Sequence, residues 1–417
     1  MTERAVTAAE ESVEDFRLRA RAWLAANMPR IDRDHPPMTR LDQEASWHRA
    51  RVLQGRLHEG GFAGICFPRE YGGLGLTIEY QKVFNAESGG YEMPLILNIP
   101  SLTICCATLL DVGSEEQKRR HISAALRGEE VLAQLLSEPS GGSDLAGVTT
   151  RADRRGDSWV INGAKTWSTS AFAADYGLCL IRTDWDVPKH EGLTMFLLPI
   201  KHPGVTLRRI AMINGSSEFC EEFFDDVELP DDAVVGGVGN GWQVASRQLF
   251  HERRSMGRSS EFSSGLEGDD AEAAPIDYLE LAQRTGQVAD DRVEEMSGRA
   301  LVHRAVAEHL ADHVYRGVLG GTMPAAAGSI VRLFYAEAHQ LEIDTAQAIA
   351  ATAAVVGDDA ELLDVGKRYL ERQIVSLGGG STEIARNVIA ERVLNFPREY
   401  AADRGVPFSQ VRRGGSV

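Results

Sequence analysis

The sequence predicts an α+β fold with a helical domain at each end and a β-domain between them. Helical periodicity fills residues up to about 130 and returns after residue 241. Between these regions, short apolar runs separated by Gly, Pro and Asn turn signals are typical of strands. We therefore expect an N-terminal helical domain over residues 1–132, a middle antiparallel β-sandwich or barrel over residues 133–238, and a C-terminal four-helix bundle over residues 239–417.

The first helix is predicted from apolar residues that recur at helical spacing between Val13 and Leu24. Thr7 and Glu10 are spaced like a capping box before it, and residues 27–29, Asn-Met-Pro, indicate its end.

The middle region contains the strongest hairpin signal, Asn162-Gly163, between the apolar runs 158–161 and 164–167. The other predicted strands are residues 176–183, 193–200, 205–212 and 220–229. In the C-terminal region, the Ser-, Gly- and acid-rich residues 258–274 predict a mobile loop between two helices.

The composition disfavours several classes of partner. The chain carries 61 acidic and 44 basic residues, a net charge of −17, which repels nucleic acid and anionic membranes. We find no apolar run that approaches the ~20 residues of a membrane helix. The 5 cysteines contain no Cys-x-x-Cys, so we expect reduced thiols and a cytoplasmic protein.

Several chemistries have no matching motif. The glycines of residues 236–241 do not fit a dinucleotide-binding spacing, and there is no Walker loop or Gly-x-Ser-x-Gly elbow. His309 and His313 share a predicted helix face but lack a third ligand, so we expect no metal site.

Three stretches can carry chemistry. In residues 136–144, adjacent glycines allow close backbone approach to an anion, although an ordinary Gly-Ser turn gives the same pattern. Trp167 and Thr169, two apart on a strand, share a face that suits a planar ring or a hydrophobic core. Glu252 falls at the edge of an apolar helical stripe, as a half-buried base or as a residue turned to solvent.

Together these stretches resemble the acyl-CoA dehydrogenase family over nearly the whole chain. Residues 61–75 are similar to its N-terminal signature, residues 137–144 to its first flavin motif and residues 163–169 to its second. Residues 378–386 occupy the place of the late motif near the flavin.

The resemblance implies FAD bound between the domains and α,β-desaturation of an acyl-CoA substrate, in which a carboxylate takes the α-proton and flavin N5 the β-hydride. The cofactor-binding residues it implies are Gln134, Leu136, Ser137, Gly142, Ser143, Trp167, Thr169, Ser381 and Glu383. Ser143 would contact the flavin pyrophosphate or the CoA moiety, and electron-transferring flavoprotein would be the acceptor.

Two departures from the family pattern bear on the reaction. The late motif carries Gly379 where many members have the catalytic Glu, whereas His251-Glu252-Arg253 matches the branch whose base lies on the first C-terminal helix. Glu252 is therefore the expected base, and Arg253 would orient the base or the substrate. The pattern resembles bacterial members that act on bulky acyl-CoA thioesters, including those of sterol side-chain degradation, so a bulky or branched substrate from fatty acid or sterol side-chain β-oxidation is expected.

The second departure concerns assembly. The Arg-x-x-Phe-Gly and Gln-x-x-Gly-Gly-x-Gly motifs, through which family members hold FAD between subunits, have no clear match. A homodimer, a homotetramer and a hetero-oligomer with a homologous chain all stay open. A co-catalytic or non-catalytic subunit is the alternative function, and an oxidase that passes electrons to oxygen is a further one.

Overall fold

The computed structural model describes residues 11–31, 40–256, 260–265 and 276–411. The chain divides into two compact units, of which the first comprises residues 1–211, 216–270 and 403–417. The second comprises residues 212–215 and 271–402. This division differs from the expected three domains, because the helix predicted to open the C-terminal domain belongs to the first unit. The three domain boundaries stay a prediction.

The first unit begins with helix α1 (Val13–Asn27), close to its predicted bounds. Its N-cap is Ser12, whose hydroxyl accepts a hydrogen bond from the Asp15 amide at 3.1 Å. The predicted capping box from Thr7 lies outside the described residues. The helices that follow are α2 (Glu44–Glu59), α3 (Ile78–Ser88), α4 (Ala107–Val112), α5 (Glu115–Gln117) and α6 (Ser123–Leu126).

One apolar run in this region corrects the expectation that no run approaches the ~20 residues of a membrane helix. Among the described residues, Leu95–Val112 is long and apolar enough by composition to cross a membrane, with a mean hydropathy of 1.8. Its position explains the composition, since 72% of the run is buried inside the fold. Cys105 and Cys106, within it, are fully buried, and all five cysteines of the chain are free thiols. The run therefore forms part of the core.

A sheet of eight strands follows in the described residues, with the order β6-β7-β3-β2-β4-β5-β8 and with β1 beside β4. Most neighbouring strands are antiparallel, as predicted, whereas β4 runs parallel to both β1 and β2. The strands are β1 (Leu132–Leu135), β2 (Arg151–Arg155), β3 (Ser158–Thr169), β4 (Tyr176–Arg182), β5 (Leu193–Pro199), β6 (Val205–Arg209), β7 (Phe219–Pro230) and β8 (Val234–Val235).

The predicted hairpin at Asn162-Gly163 is wrong. These residues lie inside the continuous strand β3, where the pairing with β7 shifts register. Gly163 is required there because an added Cβ would lie 2.6 Å from Thr150 Oγ1. The hairpin turn is instead Gly156-Asp157, which joins β2 to β3, and Gly156 has a φ of +62°. Glycine is favoured both where a neighbouring residue leaves no room for a Cβ and where a turn needs a positive φ. The local sequence does not distinguish these two cases.

Helix α7 (Gly241–Met256) packs within the first unit against the sheet and the apolar run. Of the loop predicted over residues 258–274, residues 260–265 are described and are packed into this unit. Phe262 is buried with its ring centroid 4.3 Å from that of Phe67, and the Gly265 amide donates to Asn85 Oδ1 at 2.8 Å. The composition of the segment did not predict this anchored part.

The second unit is helical. Its helices are α8 (Tyr278–Arg284), α9 (Asp291–Leu319), α10 (Gly328–Ala350), α11 (Ala360–Glu371) and α12 (Thr382–Val388). The long helices α9 and α10 pack along each other. Ala300, Ile349 and Leu362 are among the buried residues of the core they share with α8 and α11. This unit therefore buries an apolar core of its own.

Candidate functional site

Glu252 lies on α7 with its side chain half-buried. Gln134, on strand β1, donates a hydrogen bond from Nε2 to Glu252 Oε2 at 3.0 Å. Val244 and Ala245, nearer the start of α7, are buried in the core that the helix shares with the sheet. Ala245 of the predicted apolar stripe is buried, and Trp242 and Leu249 of the same stripe pack against this core. Glu252 therefore lies at the edge of a packed face. The structure brings together the predicted base and one of the predicted cofactor residues.

Contacts to the apolar run Leu95–Val112 fix the position of α7. The buried ring of His251 bonds through Nε2 to Asp111 Oδ2 at 2.7 Å, and the hydroxyls of Ser255 and Thr103 lie 2.7 Å apart. A carboxylate on an anchored helix keeps a defined position, which a general base requires. Arg253, the predicted orienting residue, is exposed on the same helix, and its role stays a prediction.

A buried ion pair fixes the segment that follows β1. This pair was not predicted from the sequence. Glu138 and Lys165 are both buried, and Lys165 Nζ lies 2.9 Å from Glu138 Oε1. Burial by itself would raise the pKa of Glu138, but the charge of Lys165 and the hydrogen bond from the Thr149 amide hold it below its usual range. In the sequence, this ion pair is indicated by Glu138 in the first predicted flavin motif and Lys165 in the second.

The two predicted flavin segments are in direct contact. Lys165 Nζ also donates to the carbonyl oxygen of Leu136 at 3.0 Å, and the Thr166 amide donates to that of Ser137 at 3.0 Å. The backbone before the glycine turn is therefore fixed from β3 by a side chain and by a main-chain amide. Leu136 and Ser137 are each half-buried along this contact.

Residues 139–144 form the exposed part of the segment. Gly142 and Ser143 are both exposed, while Glu138 before them and Leu145 after them are buried. A Cβ added at Gly142 would lie 3.0 Å from Ser137 Oγ, so the glycine keeps that hydroxyl uncovered. An open turn with hydroxyl groups, held on both sides by buried residues, suits a bound anion.

Trp167 is placed by a β-bulge. The pairing of β3 with β7 skips Trp167, which has a φ of +62° and is 55% exposed. Its ring centroid lies 5.8 Å from that of Phe219, which is the residue paired with Thr169. The bulge interrupts the simple strand alternation from which a shared face with Thr169 was predicted. The indole is exposed and contacts Phe219, the residue that lies opposite Thr169 on β7.

A buried carboxyl stands directly behind this bulge. Ser168 donates from Oγ to Glu222 Oε2 at 2.9 Å, and the Glu222 side chain is fully buried. Burial raises the pKa of Glu222 to about 7, although the Ser168 hydrogen bond and the charge of Lys165 act in the opposite direction. Glu222 was not identifiable from the sequence, because its burial depends on how β7 pairs with β3.

Ser381 and Glu383 lie in the second unit. Ser381 is the N-cap of α12 and accepts a hydrogen bond from the Ile384 amide at 3.3 Å. Glu383 lines a cleft of about 370 Å³ together with Thr382 and Arg386. Their predicted place at the flavin stays a prediction.

The residues of the first unit fit a flavin nucleotide. Such a cofactor has a planar ring system and a pyrophosphate, and it needs an apolar surface for the first and donors for the second. Trp167 offers an exposed indole, and Ser143 lies in the open turn of the adjoining segment. Among the described residues, no group of three or more His, Cys, Asp or Glu side chains could hold a metal ion.

The sequence matches three family models in chain order. They are described as acyl-CoA dehydrogenase, N-terminal domain, over residues 10–129, middle domain, over residues 133–227, and C-terminal domain, over residues 239–394. Together they span most of the chain.

A curated relative and two solved structures agree with these matches. Acyl-CoA dehydrogenase IpdE1 of Mycobacterium tuberculosis is 32% identical over 395 residues, which cover 93% of this chain and 99% of the relative. A structure named Tcur3481-Tcur3483 steroid ACAD has a TM-score of 0.69 at 25% identity and covers 96% of this chain and 100% of its own. The ChsE4-ChsE5 complex from Mycobacterium tuberculosis, at 22% identity, supports the fold alone, with a TM-score of 0.66 and coverage of 95% and 100%.

Proposed function

The chain belongs to the acyl-CoA dehydrogenase family of oxidoreductases, and from that premise we propose that it desaturates an acyl-CoA thioester between the α- and β-carbons with Glu252 as the base. The observation that carries this proposal is the hydrogen bond between Gln134 and Glu252. It joins a half-buried carboxylate on an anchored helix to the strand that leads into the predicted flavin segment.

The α-proton of a thioester is weakly acidic, so its removal needs a carboxylate that is held in place and partly shielded from water. Glu252 satisfies both conditions, because the anchored helix α7 and the Gln134 amide hold the carboxylate and its side chain is half-buried.

FAD, when bound, accepts the hydride equivalent from the β-carbon. In the first unit we propose Gln134, Leu136, Ser137, Gly142, Ser143, Trp167 and Thr169 as its contacts. Trp167 supplies apolar ring surface, and the turn around Ser143 supplies donors to a phosphate of FAD or CoA. Ser381 and Glu383 are proposed as further contacts, and electron-transferring flavoprotein as the acceptor.

We propose a bulky substrate, with a steroid side chain as the first class to test. The support is the name of the solved structure Tcur3481-Tcur3483 steroid ACAD, which covers 96% of this chain. Straight-chain and branched acyl-CoA thioesters are the competing classes.

Anaerobic bleaching of the flavin tests both parts of this proposal. Wild-type protein is mixed with straight-chain, branched and steroid-side-chain CoA thioesters, and the flavin absorbance is followed. We expect Glu252→Gln to retain its flavin but to bleach at least ~10³-fold more slowly, as for loss of a general base. Glu59→Gln, at the exposed end of α2, is the control and should bleach like the wild type. Undiminished bleaching of Glu252→Gln would contradict the assignment.

A second candidate is a subunit that completes the site of a homologous chain. It is favoured by the two missing FAD-holding motifs and by the two-component name of the steroid ACAD structure. The two candidates differ in an observable colour. A colourless protein that binds flavin only after co-expression with a neighbouring homologue supports the second candidate, whereas a yellow protein active alone excludes it.

A further inference from the structure

The C-terminal residues 403–411, here called the C-terminal strap, lie against the loop between β4 and β5. The Phe408 amide donates to the carbonyl oxygen of Val187 at 2.9 Å, and the Ser409 amide donates to that of Trp185 at 2.7 Å. The Phe408 side chain is only 2% exposed. Main-chain hydrogen bonds and a buried ring thus fix the strap to the first unit.

A buried arginine connects the strap to the segment that follows Ser143. Arg182, at the end of β4, is fully buried, and its Cζ lies 3.5 Å from the centroid of the Phe408 ring. The same guanidinium donates to the carbonyl oxygens of Ala146 at 2.6 Å and Val148 at 3.0 Å. The ring of the strap therefore covers the cation that holds residues 146–148 in place.

A lysine makes a second connection, one residue from Ser143. Lys189 Nζ lies 2.8 Å from Asp144 Oδ1 and 2.6 Å from Asp403 Oδ2. The Lys189 side chain is 16% exposed, whereas that of Asp144 is 62% exposed. Burial would lower the pKa of Lys189, but the two carboxylates raise it above its usual value, so the lysine is charged.

The charges of this bridge bear on the binding of a phosphate group at the turn. Asp144 is the last residue of the turn at which we place a phosphate group, and an uncompensated carboxylate there would repel it. Lys189 offsets the charge of Asp144, and Asp403 of the strap holds Lys189 in place. Because two carboxylates share one ammonium, the strap contributes to phosphate binding through the shape of the turn and not through its own charge.

We propose that the C-terminal strap is a positioning element for the turn at residues 141–144, and that it holds this turn, through Lys189 and Arg182, in the form that binds the pyrophosphate of FAD or CoA. This inference rests on the proposed function, because it takes the ligand of the turn from it. Lys189, Arg182 and Phe408 act through the turn and are positioning residues.

The experiment separates the shape of the turn from its ligand. In flavin-free protein, hydrogen exchange of the amides of residues 141–148 is compared between wild type, Lys189→Met, Asp403→Asn and Phe408→Ala. Lys201→Met is the matched control, since Lys201 pairs with Asp175 on the same unit and its side chain is 76% exposed. The dissociation constants of FAD and of coenzyme A are then measured for each variant.

We expect faster exchange at residues 141–148 in the three strap variants and no change in Lys201→Met. Lys189→Met should also weaken FAD or coenzyme A about tenfold, equivalent to ~1.4 kcal/mol, and the ligand that weakens identifies the occupant of the turn. Should Phe408→Ala not fold, Lys189→Met and Asp403→Asn still decide.

Two results would overturn the proposal. Unchanged exchange in Lys189→Met and Asp403→Asn shows that the strap does not hold the turn. Faster exchange with unchanged affinity for both FAD and coenzyme A shows that the turn does not bind the phosphate. Neither result depends on whether the wild-type protein dehydrogenates an acyl-CoA, which the flavin bleaching decides separately.

Discussion

Gln134 Nε2 donates to Glu252 Oε2 at 3.0 Å and so joins the first strand of the sheet to helix α7. The two residues are far apart in the chain, and each was predicted for a different reason, one as a flavin contact and the other as a base. Their hydrogen bond means that a change at the strand alters the orientation of the carboxylate. Through this bond Gln134 would influence proton transfer at the proposed base, whether or not it also contacts the flavin.

Replacing Gln134 with Met should lower kcat/KM about tenfold, because a hydrogen bond to a charged group contributes ~1.5–3 kcal/mol. Steady-state rates check this effect, with the exposed Gln43→Met as control. An unaltered kcat/KM would show that the contact has no catalytic effect.

Lys165→Met should destabilise the first unit by about 3–5 kcal/mol, because it leaves the buried Glu138 carboxylate without its cation. The double variant Glu138→Met/Lys165→Met should recover part of this loss, since no buried charge is left unpaired. Urea denaturation of the flavin-free protein measures both.

The ion pair between the exposed Lys201 and the half-buried Asp175 supplies the comparison for the buried pair. Lys201→Met should cost no more than ~1 kcal/mol, as is usual for ion pairs at the surface. Equal losses of unfolding free energy in Lys165→Met and Lys201→Met would show that burial does not increase the contribution of the Glu138–Lys165 ion pair to stability.

Glu222 should make stability fall as the pH rises from about 4.5 to about 7. Its pKa is raised from 4.5 to about 7, chiefly by burial, so the folded state binds the proton more tightly than the unfolded state. The protonated form is favoured by folding, and the cost of ionising it is absent below pH 4.5 and complete above pH 7, where it reaches about 3 kcal/mol.

Glu222→Gln removes this cost and keeps an acceptor for Ser168. We expect the variant to exceed the wild type in stability at pH 8 and to match it near pH 4.5, as measured by thermal denaturation at a series of pH values. Glu221→Gln, on the opposite face of β7, controls for loss of a carboxylate from the same strand. A difference between Glu222→Gln and wild type that does not change with pH would contradict the assignment.

Much of the fold could be predicted from short windows of the sequence. Helix periodicity located α1 and α7, and short apolar runs bounded by turn residues located β4, β5 and β7 to within a few residues of their ends. Helical periods, apolar runs and turn residues are all contained in short windows of sequence. The Asn162-Gly163 hairpin failed because Gly163 is selected by a contact with Thr150, a partner that no local window of β3 reveals.

The sequence by itself determined the order of helical and β regions, the family, and the identity of Glu252 as the candidate base, because residue types and spacings carry that information. Only the tertiary structure showed that Gln134 contacts Glu252, that Lys165 holds Glu138, that a bulge exposes Trp167, and that the C-terminal strap reaches Asp144 through Lys189. Each of these depends on burial and on pairing between distant strands, and the physical cost of an unpaired buried charge or amide acts only once the chain has folded.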